Sequence, residues 1–242
     1  MKCILSVAAA VVLTCLISGS AFAAGQQQDF SKLDPAWAAQ QMDASLQSSE
    51  LGSAWAALKV VFPGDYKQLT QDLARAVIQH EDWSGRSQMF IQTHVAGQVQ
   101  AAQQAPAQEQ AKYQRQKADF LVYLSHVNTS ACAYLGTGIG DPSSLGNLNS
   151  DQMKRYSNLI AVAVEAIGAG RRSPVTYGAL TPEDASQIRG IMASQGVSDA
   201  DAQSVLSGQI GKSPGELCRA GVIRNSALAA APAEIVAKVA FR

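Results

Sequence analysis

At Asp34-Pro35, Thr181-Pro182 and Ser213-Pro214 a helix-capping side chain is followed at once by proline. An Asp, Ser or Thr oxygen satisfies the free amides of a first helical turn, and proline, lacking an amide, fits the first helical position. Between such starts the apolar residues recur every three or four positions, as in Tyr66, Leu69, Leu73 and Val77, or Phe120, Leu124, Val127 and Ala131. That spacing lines one face of a helix. No stretch alternates strictly between apolar and polar residues, as a half-buried strand would. Composition agrees: 41 Ala and 24 Gln stand against 6 Phe, 6 Tyr and 3 Trp, and the first two favour helices while strands prefer the aromatics. The fold class predicted is all-α, a bundle of about eight to nine helices.

The helices are expected as follows. The first runs from Asp34-Pro35 to about residue 48, with Trp37 and Met42 on its inner face. The second, about 49–61, buries Trp55, Leu58 and Val61 and is stopped by Pro63-Gly64. Asp65 caps the third, and the fourth spans about 86–105. Residues 98–116 hold eight Gln and are expected to form a solvated helix face broken at Pro106. The helix that follows should carry Cys132 near its end. After the glycine-rich loop 136–149, Ser150 caps an apolar helix from Asp151 to about Gly168. The last third is short capped helices at about 181–195, 198–206, 213–230 and 232–241. The Gln-rich stretch is the natural boundary between an N-terminal helical region, 24–105, and a C-terminal one, 106–242, if these are not one continuous domain.

Residues 1–23 carry the marks of a cleaved secretory signal: Lys2, an apolar run over 4–17, and a small-x-small ending at Ala21-Phe22-Ala23. The run is short of the ~20 residues that span a bilayer, so no stable membrane span is expected after cleavage, and the localisation predicted is periplasmic or secreted. Acylation at Cys15 is the alternative, though Val12-Leu13-Thr14 lacks the small residue a lipoprotein signal places before its cysteine. Cleavage removes Cys3 and Cys15. The remaining pair, Cys132 and Cys218, is predicted to form a disulfide, as two cysteines in an exported chain commonly do.

Nineteen basic and nineteen acidic residues balance, which leaves no electrostatic footprint for nucleic acid. The one Gly-x-Ser-x-Gly spacing, Gly211-Lys-Ser213-Pro-Gly215, has no strand pattern before it and so is not a nucleophile elbow, and no Ser-x-x-Lys pattern is present. The three histidines, His80, His94 and His126, include no close ligand pair, so no metal and no cofactor is expected. His94 reads as a packed imidazole, His126 as a core or boundary residue, and His80 as a helix C-terminal residue or a base beside Glu81. Glu165 shares a helical face with Asn158 and Lys154 and should be solvated. Gly136-Thr-Gly-Ile-Gly follows a helix and is not the dinucleotide fingerprint, which lies between strand and helix.

Two loops are left to present contacts. One holds Gly138 and Asp141. The other holds Arg171, Arg172 and Tyr177, residue types that anchor interfaces. The expectation is non-catalytic binding of an envelope or secreted protein, of inhibitor, immunity or assembly-factor type. The alternatives are a small hydrolase using a histidine, and a helical carrier of an apolar ligand, which requires a connected apolar cavity.

Overall fold

The computed structural model describes residues 34–208 and 211–241, all helices and connecting turns with no strand among them. The expected signal at 1–23, with Cys3 and Cys15, lies outside the described residues. The α-helices are α1 (Pro35–Ser48), α2 (Gly52–Val61), α3 (Pro63–Ile78), α4 (Trp83–His94), α5 (Val99–Gln103), α6 (Ala107–Val127), α7 (Thr129–Thr137), α8 (Ser150–Arg172), α9 (Pro182–Ser194), α10 (Asp199–Ser207), α11 (Pro214–Ala230) and α12 (Ala233–Ala237). There are more than the eight to nine expected, and two of the expected helices are each broken in two.

The pairs at Pro35, Pro182 and Pro214 all start α-helices. Asp34 Oδ1 accepts from the Ala36 amide at 3.0 Å. Thr181 and Ser213 form capping boxes with Asp184 and Glu216. Pro63, however, opens a helix instead of only ending one. It occupies the first position of α3 directly after the single residue Phe62, and Asp65 sits in the first turn and not at the cap. Proline's fixed φ suits that first position, so the chain turns from α2 into α3 without a loop.

Other boundaries also move. The expected 86–105 helix is α4, a 3-10 turn over Ala96–Gln98, and α5. Asn128 ends α6 and caps α7 through the Ala131 amide, so Cys132 lies on α7. Asn149 and not Ser150 caps α8, in a box with Gln152. That helix runs on past Gly168 to Arg172, since Gly170 lets it approach α5; a Cβ there would lie 1.8 Å from the Ala101 carbonyl oxygen. The last helix, α12, covers only five residues of the expected ten. Trp37 is 48% exposed, off the core, whereas Met42 packs against it.

The larger apolar interior draws on α1–α8 and the start of α11, with Trp55, Leu58, Leu73, Leu121, Leu124 and Val164 fully buried. A smaller one joins α9–α12 around Ile188, Met192 and Ala227. Cys132 and Cys218 form the disulfide, tying α7 to α11 with Cα atoms 5.1 Å apart. One turn beyond each cysteine lie Gly136 and Gly221. A Cβ on Gly136 would come within 2.9 Å of the Gly221 Cα, so the pair of glycines sets how closely these helices cross.

The Gln-rich stretch is not a solvated face. Gln110 and Gln114 are buried. Gln110 Nε2 donates to the carbonyls of Gln103 and Ala105, closing the turn at Pro106. Gln114 Nε2 donates to Asn225 on α11 at 2.9 Å, and Asn225 in turn donates to the Gly136 and Gly221 carbonyls. Gln110 and Gln114 thus act as donors, with Gln110 Oε1 left buried and unpartnered among the described residues, while Asn225 both accepts and donates and so ties α6, α7 and α11 together.

Candidate functional site

The expected contact residues have roles inside the molecule. Arg171 and Arg172 belong to the last turn of α8 and not to a loop. The Arg171 guanidinium lies over the Phe62 ring, 4.9 Å from its centroid, while Arg172 stays exposed. The Tyr177 hydroxyl donates to the Ala105 carbonyl at 3.1 Å. The Asp141 carboxylate accepts from the Ser143 amide and hydroxyl, which holds its pKa below the ordinary range. Gly138 ends α7 in the left-handed conformation, φ 74°.

The histidines separate cleanly. His94 stacks on Phe90 at 4.0 Å, meets Phe62 edge-on at 4.8 Å, and its ring nitrogens bond the Phe90 carbonyl and Asp65. His80 closes α3 in the left-handed region, φ 56°. His126 is exposed instead of sitting at a core boundary, because α6 ends beside it. Glu165 is exposed, paired with Lys112. No group of three or more His, Cys, Asp or Glu among the described residues is placed to hold a metal ion. No helix among them is long and apolar enough to cross a membrane.

A cavity of about 200 Å³ opens where α5, α6, α7, α8 and α11 converge, closed at one end by the chain after α12. The α8 wall is apolar: Leu159, Ile160, Ala163 and Ile167 recur every three or four residues. Ile91, Val95, Val99 and Ala102 continue it on the α4–α5 side, and Phe241 stacks on Tyr113 at 4.2 Å across the end. Gln103 Nε2 donates to the Phe241 carbonyl at 2.8 Å, which fixes that closing segment. Gly138, alone of the expected contact residues, lines the rim.

The α6 and α11 walls are different in kind. They present Tyr113, Gln114 and Lys117 from α6, and Arg224, Asn225 and Leu228 from α11. Gln114 and Asn225 bond each other, so α6 and α11 are locked at this level, with Lys117 one turn further along α6 and Arg224 beside Asn225. Burial, and after it the nearby Arg224 charge, pulls the Lys117 pKa down to about 8. Burial also lowers Arg224 and raises the Tyr113 phenol to about 12. Taking charge out of water disfavours the charged form, which accounts for all three directions.

None of these residues was singled out from sequence, although a signal was present. Gln110, Tyr113, Gln114, Lys117, Leu121 and Leu124 lie on one helical stripe, as do Leu217, Ala220, Gly221, Arg224 and Leu228. A cation on each otherwise inward stripe is the mark that was passed over. No family model, curated protein or solved structure matches this chain.

Proposed function

We propose that this protein binds an apolar small molecule between α5, α6, α8 and α11 and carries it without chemical change. The cavity is the observation that supports this reading. An apolar cavity of 150 Å³ is already enough to hold benzene, and this one is larger, lined on one side by aliphatic side chains and on the other by a few convergent polar groups. That combination is what small-molecule sites share. On the export reading of residues 1–23, the compartment is the periplasm or the medium. The protein-partner reading rests on the two loops, and there Arg171, Tyr177 and Asp141 are engaged within the chain, which leaves it the less favoured reading.

The test is native mass spectrometry of the protein purified from its own source, followed by solvent extraction. A stoichiometric, extractable adduct is expected. Protein at its bare mass, which also fails to take up an environment-sensitive apolar fluorophore, would overturn the proposal. An Ala163→Phe variant, filling the cavity from the middle of α8, should lose the fluorophore and keep the helical circular dichroism spectrum.

A further inference from the structure

Resting on that reading, we infer that the ligand is a single-chain fatty carboxylate, its alkyl chain against α8 and its head between Lys117 and Arg224. Both cations line the cavity, and neither makes a hydrogen bond or ion pair with any described residue. The contrast within α6 is direct. Lys112, five residues earlier and facing out, pairs with Glu165. Lys238, the other half-sheltered lysine, pairs with Asp184 at 2.6 Å. Lys117, likewise partly buried, has no counter-ion among the described residues and instead has a second cation for a neighbour.

Two unpaired like charges facing one apolar space are costly to a fold, and perturbed charges in a cleft mark sites more often than structural ones do. The last turn of α7 also lines the space, and a helix C-terminus carries roughly half a negative charge. That offsets only part of two full cations. An anionic head supplies the rest. The guanidinium fork of Arg224 matches the two oxygens of a carboxylate, and Lys117 adds a point charge. A phosphate head is disfavoured because the helix end at this cavity is the carbonyl end of α7, not an amide-lined N-terminus of the kind that holds phosphates. Tyr113, kept neutral, adds a hydroxyl donor on the same face of α6 as Lys117.

The experiment is calorimetric titration of the full chain with dodecanoate, dodecanol, dodecyl phosphate and dodecyltrimethylammonium. Dodecanoate is expected to bind one to one, at least about tenfold tighter than dodecanol, and the cationic amphiphile to bind weakest. Lys117→Met and Arg224→Met should each weaken dodecanoate about tenfold and leave dodecanol unchanged, which a general loss of folding would not do. Equal binding of dodecanoate and dodecanol would overturn the anionic head while leaving the apolar cavity standing. Tighter binding of dodecyl phosphate would overturn the carboxylate. Binding of no amphiphile by protein with an intact melting transition would overturn the carrier reading as well.

Discussion

The two halves of the larger interior are built on opposite terms. Around α2, α3 and α4 the space is filled by rings: Trp55, Tyr66 and Phe90 lie with centroids 6.4–6.5 Å apart, and His94 is clamped between Phe90 and Phe62. The titratable groups there have partners, as His94 has Asp65, and Tyr66 donates to Asp43 while Lys59 pairs with the same carboxylate. Between α6, α8 and α11 the rings of Tyr113, Tyr156 and Phe241 stand at the edges of a mainly aliphatic wall, space is left, and two cations face it without carboxylates. One half is filled by its own residues, the Trp55 Nε1 being its one buried side-chain polar atom without a partner among the described residues. The other lacks what its charges and its volume call for, and that difference is the basis for reading it as the binding half.

The largest effects should come from truncating apolar residues in the two halves. Leu58 is fully buried in the filled half, and Leu58→Ala should cost about 3–5 kcal/mol, read by denaturant unfolding. Leu159 lines the cavity, where it has fewer packed neighbours to lose, and Leu159→Ala should cost about 2 kcal/mol, the low end of the range for a buried leucine. Equal costs would break the comparison. The Cys132→Ser, Cys218→Ser double variant should lose about 2–5 kcal/mol, and the cavity walls on α6 and α11 should gain hydrogen exchange ahead of α2 and α3. Gly136→Ala should cost about 1–3 kcal/mol by pushing α7 off Gly221.

A smaller effect has a sign that depends on pH. Lys117 is held at about 8 in the folded chain against an ordinary 10.5. Below about 8 both folded and unfolded chains carry the proton, and the fold bears the full cost of the buried charge. Between those two values the unfolded chain binds more protons, so stability rises with pH through that window. Lys117→Met should therefore be more stable than the parent by ~1–3 kcal/mol at pH 7, and the advantage should shrink toward pH 10.5. Glu165→Gln, breaking an exposed pair with Lys112, should change stability by under ~1 kcal/mol.

What the sequence disclosed follows the same division. Helix starts were legible at Pro35, Pro182 and Pro214 because capping is a local matter between a side chain and amides two or three residues on. The disulfide was legible by cysteine count. Breaks within long apolar patterns were not, since Asn128 ends one helix and caps the next without disturbing the stripe from Phe120 to Ala131. Gln110 and Gln114 read as solvated because their partners, Ala105 and Asn225, are supplied by a tight turn and by a helix more than a hundred residues away. The cavity was the least legible feature. Space between helices depends on how closely they cross, and here that is set by pairs such as Gly136–Gly221 and by Gly170 against α5, which no single stretch of sequence reveals.

The most direct trial is a methyl NMR titration of the folded protein with dodecanoate. Shifts should be confined to cavity methyls, Val99, Leu159, Ile160, Ile167 and Leu228, saturating at one equivalent, while Leu58 and Leu73 in the ring-filled half stay unmoved. Shifts scattered over the surface, or centred on Val175 and Leu180 beside the Arg171–Arg172 turn, would contradict the division of the molecule into a filled half and a binding half.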